Sequence, residues 1–168
     1  MTVHRQALLV VLVCCITPQA RAQKAVYLVR HAEKAGDAKD SPLTLAGTDR
    51  AQALARHLKD AGISVIYTSD ARRTKDTAAP LAAALGVTPV EVTDGDAATI
   101  FTKARTDHPD AVILVVGHSN TVPTLIAKWG ASSPVTIGAN EFDRLFVVVP
   151  TGPATAGLAR FRYQTSGP

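Results

Sequence analysis

Cysteine is nearly absent: it occurs only as Cys14-Cys15, and that dipeptide lies in an apolar run that reads as a leader rather than a core element. His4 and Arg5 precede the run, residues 7–16 are apolar without a break, and Ala20-Arg21-Ala22 forms an A-x-A cleavage site behind Pro18. This is the pattern of a bacterial secretory signal peptide over residues 1–22, cut before Gln23, and the run is too short to cross a bilayer comfortably. An uncleaved anchor is the alternative. Lipidation would need a small residue before Cys14 or Cys15, where Val13 and Cys14 stand. The mature protein is therefore expected in the periplasm or secreted, with no stable membrane association after signal cleavage. A mature chain without cysteine excludes thiol nucleophiles, zinc-thiolate sites and iron-sulfur clusters, and suits an oxidising compartment.

Charge of one sign is also lacking. The leader takes Arg5 and Arg21 from the 18 basic residues, leaving 16 against 14 acidic ones, a net +2 that gives no argument for a nucleic-acid partner. Aromatic residues are few at 5%, but 46% of the chain is hydrophobic, enough for one folded domain over residues 23–168 without disulfides or metal. There is no internal repeat, low-complexity tract or linker.

Residues 25–34 read Ala-Val-Tyr-Leu-Val-Arg-His-Ala-Glu-Lys. A short apolar run that ends in Arg30 and His31 fits a central strand covered on both faces, and ligands gather at the carboxyl ends of such strands. A second apolar run, residues 111–116, ends likewise in Gly117-His118-Ser119-Asn120, and a third, residues 63–67, leads into Thr68-Ser69-Asp70-Ala71-Arg72-Arg73. Between these, Thr44 is a candidate N-cap for a helix carrying Ala51, Leu54, Ala55 and Leu58, stopped by Gly62. A helix over residues 72–85 is expected to kink or split at Pro80. Residues 87–92 read as an edge strand and 97–106 as a helix. A further helix is capped by Asn120 or Thr121 and carries Pro123 in its first turn. Residues 132–137 are a strand or a connector, 142–149 an apolar strand and 158–163 an edge strand. His57 and His108 read as solvated residues. The alternation predicts an α/β three-layer sandwich, a mostly parallel sheet with helices on both faces.

Guanidinium forks and imidazoles at neighbouring strand ends suit a phosphoryl group. Its equatorial oxygens need fixed positive donors, an unprotonated imidazole can attack phosphorus, and a second imidazole can donate to an oxygen. The carboxylate clusters that divalent metal sites need are missing, so no metal or other cofactor is expected.

Arg30-His31-Ala32-Glu33 resembles the Arg-His-Gly/Ala-Glu signature of the histidine phosphatase superfamily, also called phosphoglycerate mutase-like. The resemblance continues in order to Asn120, through Leu43-Thr44 with Gly47, Tyr67-Thr68-Ser69 with Arg73 and Thr77-Ala78, and Val116-Gly117-His118. It implies the fold of that superfamily in a short single-domain form, His31 as a phosphorylated nucleophile, and Arg30, Arg73 and His118 as phosphate ligands. The family spacing back from Thr77 selects Arg73 over Arg72. The implied partner is a small phosphorylated substrate and the implied activity is phosphomonoester hydrolysis, a mutase being less favoured. A phosphate-binding module without turnover is the alternative. The glutamate motif that supplies a general acid in longer members is absent, and Glu33, Glu91, Asp94, Asp96, Glu141 and Asp143 all stand as candidates.

Overall fold

The computed structural model describes residues 23–164, so the expected leader lies outside the described residues. In chain order the elements are β1 (Ala25–Arg30), α1 (Leu45–Leu58), β2 (Val65–Ser69), α2 (Arg72–Leu85), β3 (Val90–Val92), a 3-10 turn (Thr93–Gly95), α3 (Ala97–Asp107), β4 (Val112–Gly117), α4 (Thr121–Lys128), β5 (Arg144–Gly152) and β6 (Thr155–Arg162). They build one six-stranded sheet in the order β3-β2-β4-β1-β5-β6. The four strands from β3 to β1 are parallel, and β5 and β6 add an antiparallel hairpin at the β1 side.

Alternation along the central strands creates two cores, because successive side chains of a strand point to opposite faces. Ile113 and Val115 join Ile100, Leu125, Ile126 and Trp129 under α3 and α4. Leu114 and Val116 join Leu54, Leu58, Ala78 and Leu81 under α1 and α2. The result is the expected three-layer α/β sandwich.

The helix ends follow local chemistry. Thr44 caps α1 by accepting from the Gly47 amide at 3.0 Å, and α2 stops at Gly86, whose φ of 66° favours glycine. Pro80 does not split α2, which runs unbroken to Leu85. The bond that proline removes falls at the Asp76 carbonyl; Pro80 and Asp76 are both half-exposed, and the opposite face is held by buried Ala78, Leu81 and Ala82. Residues 132–137 form a connector rather than a strand. His108 is half-buried, its ring 6.2 Å from that of Tyr67, rather than solvated.

Gly47 lies in the first turn of α1 against the backbone of Glu33, and a Cβ there would collide with the Glu33 carbonyl. Helix propensity alone would make Gly47→Ala stabilising by about 1 kcal/mol. We expect the collision to win and to cost about 2 kcal/mol, as overpacking does. Urea denaturation checks this: a midpoint higher than that of the wild type would contradict the packing.

Candidate functional site

The parallel strands place their carboxyl ends along one edge of the sheet, and register decides which residues meet there. Arg30 pairs with Gly117, and the His31 amide extends the ladder by donating to the Gly117 carbonyl at 2.9 Å. His31 and His118 therefore lie beside one another, with ring centroids 5.4 Å apart. Thr68 pairs with Val116 on the other side of β4, which sets Ser69 next to His118. Arg73 comes from the first turn of α2, directly after β2. The antiparallel β5 begins at this same edge, and Phe142 just before it contributes a ring 6.1 Å from that of His31.

His31 is buried, and its Nδ1 lies 2.8 Å from the Ala32 carbonyl. A carbonyl can only accept, so Nδ1 carries the proton and Nε2 presents a lone pair. Burial, followed by neighbouring His118, Arg73 and Arg30, lowers the His31 pKa to about 4, against the effect of the Ala32 bond. Burial, Arg73 and Arg30 likewise bring His118 down to about 4. Both rings are thus neutral at neutral pH, which suits a nucleophile.

Arg30 stands over the Phe142 ring at 4.1 Å and donates through Nη1 to the carbonyls of Gly138 at 2.9 Å and Ala139 at 2.7 Å. Its Nε, with Nε and Nη1 of Arg73, is buried and has no protein partner among the described residues. Leaving such donors unpaired is costly, and an oxyanion satisfies them. Arg72 differs: it is exposed and pairs with Asp76 one turn along α2. The structure thus brings together Arg30, His31, Arg73 and His118, and it leaves Arg72 at the surface.

A cavity of about 360 Å³ opens beside His118, with Ser69, Asp70, Arg73, Asp94 and Asn120 also in its walls. Asn120 heads α4 without a side-chain capping bond. A larger apolar groove, about 530 Å³, lies elsewhere between α1 and the β5-β6 hairpin.

Most of the acidic candidates face away from that cavity. Glu33 forms a bidentate pair with Arg50 of α1, at 2.6–2.9 Å, and orders the loop after β1. Burial alone would raise its carboxyl, but the Arg50 bonds hold it below the usual range. Glu91 pairs with Lys75, Asp96 caps α3 through the Thr99 amide, and Asp143 pairs with Arg162. Glu141 is held down to about 2 by the Gly138 amide, then Arg162 and Arg144. Of the six, Asp94 is the one in the cavity wall, with Asp37 and Asp70 beside it among the described residues. The Asp70 carboxylate takes Lys39 Nζ at 2.6 Å and the Asp94 amide at 3.0 Å, bonds that keep it ionised. Sequence reasoning passes over Asp70, although its place just after β2 matches that of His31 just after β1.

NMR titration of the ring protons should give midpoints near pH 4 for His31 and His118, and phosphate, an anion, should raise both. In an unfolded chain each imidazole would titrate near 6.5. Between those values the folded state binds fewer protons, so stability is present above about pH 6.5 and falls as the pH drops towards 4.

The model of the histidine phosphatase superfamily (branch 1) matches residues 26–95. The Yersinia pestis (strain Pestoides F) protein called "Probable phosphoglycerate mutase GpmB" is 42% identical over 72 residues, 39% of this chain and 34% of that protein. The chain thus spans about a third of the length of the curated relatives it matches. Among solved structures, the protein histidine phosphatase SixA complexed with tungstate aligns with a TM-score of 0.69 at 20% identity, covering 82% of this chain and 96% of that one. A mycobacterial glucosyl-3-phosphoglycerate phosphatase with inorganic phosphate aligns with a TM-score of 0.65 at 16% identity, covering 82% and 95%.

Proposed function

We propose that this chain, whose residues 26–95 match the model of the histidine phosphatase superfamily (branch 1), is an exported phosphomonoester hydrolase of that superfamily working through a phosphohistidine on His31. The observation that carries the reading is the pairing of a buried imidazole lone pair, His31 Nε2, with three unpartnered guanidinium nitrogens of Arg30 and Arg73.

In the first step the lone pair of His31 Nε2 attacks phosphorus. The new N–P bond forms as the P–O bond to the leaving group breaks, and the leaving oxygen takes the electron pair. Arg30, Arg73 and His118 hold the three remaining oxygens, where charge is greatest in the transition state. In the second step water attacks the phosphohistidine, the N–P bond breaks, and phosphate leaves with the His31 lone pair restored. Asp37 and Asp70 are held ionised by Lys34 and Lys39, which fits them to take the proton of that water better than to protonate a leaving group. Good leaving groups, such as those of aryl phosphates, are therefore the expected substrates. The same observation favours a second reading, a phosphoramidate substrate of the kind implied by the name of the protein histidine phosphatase SixA.

Purified protein should hydrolyse p-nitrophenyl phosphate with chelator present, and His31→Ala should not. Wild-type turnover no greater than that of the variant, across acidic to neutral pH, would leave only phosphate binding. Loss of turnover on chelation would point instead to a metal enzyme. Export is checked by N-terminal sequencing of the periplasmic fraction, where Gln23 is the expected first residue and a retained Met1 would contradict cleavage.

A further inference from the structure

The two imidazoles of this site need opposite tautomers, and the structure holds a separate device for each. His31 must offer a lone pair, which the Ala32 carbonyl secures by accepting from Nδ1. His118, neutral at neutral pH, can serve a phosphoryl oxygen only through an N–H; its other tautomer would turn a lone pair against the anion.

Counting protons along the wall of the cavity shows which tautomer His118 has. Thr74 Oγ1 lies 2.7 Å from the Ala71 carbonyl and 3.0 Å from the Ser69 carbonyl. Carbonyls only accept, so the single hydroxyl proton of Thr74 is committed to them. The 2.9 Å contact between Ser69 Oγ and Thr74 Oγ1 then has Ser69 as its donor. That commits the single proton of Ser69. Its oxygen also accepts from the Ala71 amide at 3.3 Å, and it lies 3.0 Å from His118 Nε2. With no proton left on Ser69 to give, His118 Nε2 must be the donor.

Both hydroxyls are buried, Ser69 at 1% and Thr74 at 0% exposure, so water does not compete for them. Gly95 closes the remaining side of the contact. A Cβ there would come within 3.1 Å of Ser69 Cβ and 3.5 Å of His118 Cδ2, at a φ of 63° that already favours glycine.

We propose that Ser69 and Thr74 are positioning residues that, through the chain His118 Nε2–H to Ser69 to Thr74 to the Ala71 carbonyl, lock His118 as the Nε2–H tautomer and so make a neutral histidine a donor to the phosphoryl group. No proton is transferred along the chain; the Nε2–H turns from Ser69 Oγ to a phosphoryl oxygen when the anion enters. The role in catalysis rests on the phosphatase reading above, while the tautomer is a property of the resting protein.

The test uses Thr74→Val, which keeps the shape and removes the acceptor, and Thr74→Ser, which keeps the hydroxyl. Nitrogen-15 NMR of the imidazoles at pH 7 should show His118 as Nε2–H in the wild type and in Thr74→Ser. In Thr74→Val, Ser69 is free to donate to Nε2, and His118 should shift towards the Nδ1–H form. Turnover of p-nitrophenyl phosphate should fall about 10-fold to 100-fold in kcat for Thr74→Val, with KM changed far less. This is less than the loss of about a hundredfold to a thousandfold on removing a transition-state donor outright, because the donor tautomer is depleted and not abolished. Thr74→Ser should stay within about threefold of the wild type. An Nδ1–H form of His118 in the wild type, or a Thr74→Val protein with tautomer unchanged, overturns the proposal. Nε2–H in the wild type and in Thr74→Ser, lost in Thr74→Val, with no turnover of any phosphate would support the lock and defeat the phosphatase reading.

Discussion

His31→Ala should lower kcat for an aryl phosphate by about ten-thousandfold or more, the scale at which a covalent nucleophile is lost, and should leave inorganic phosphate still able to bind. The magnitude follows from what the side chain supplies. The reaction passes through a bond to His31 Nε2, and the neighbouring His118 does not offer its Nε2 in exchange, since that atom carries a proton and is turned to Ser69. Binding depends instead on the guanidinium donors of Arg30 and Arg73, which the substitution does not touch. Phosphate titration by NMR of the variant separates the two effects. Retained turnover within about tenfold of the wild type would remove His31 from the chemistry.

Arg73→Met carries the second largest effect. Two of its guanidinium nitrogens are buried without a protein partner, so its charge is poised for the phosphoryl oxygens rather than for the fold. Removing one such donor group from a preorganised site costs about a hundredfold to a thousandfold in rate. Arg73→Lys should recover little of this, because an ammonium lacks the planar fork that meets two oxygens at once. The same geometry predicts that the stability of Arg73→Met is equal to or above that of the wild type, since two buried guanidinium nitrogens without a protein partner are lost. Arg72→Met serves as the contrast: its exposed pair with Asp76 is of the kind worth less than about 1 kcal/mol, and activity should stay within about twofold. Equal losses for Arg72 and Arg73 variants would mean that the first turn of α2 matters for packing and not for phosphate.

The sandwich and its site edge are legible because the strands announce themselves. Residues 25–30 and 112–117 are apolar runs ending in polar groups, and that pattern by itself puts Arg30-His31 and His118 at the carboxyl ends of strands. Register is not legible. Nothing in the sequence says that Arg30 pairs with Gly117, and it is this pairing that sets the two imidazoles side by side. Pro80 misleads because local chemistry predicts a break at proline, whereas the packing of Ala78, Leu81 and Ala82 carries α2 past a missing bond on the half-exposed side.

Carboxylates are the least readable part of the chain. Glu33 adjoins the site residues in sequence, yet Arg50, seventeen residues on, turns it towards α1. Asp70, by contrast, reaches the cavity through the end of β2, a place that marks a residue as strongly as any motif does. Ser69 and Thr74 look like ordinary turn residues in a linear reading. Their importance comes from a proton count that needs five distances at once.

The central claim is that His31 carries the phosphoryl group, and trapping that group tests it most directly. Protein quenched during turnover of an aryl phosphate should yield a peptide containing His31 with the mass of one added phosphoryl group, stable to alkali and labile to acid as a phosphoramidate is. Arg73→Met should show slower formation of the same adduct. Quenched wild-type protein that turns over substrate but carries the label on another residue, or on none at any time, would contradict the account.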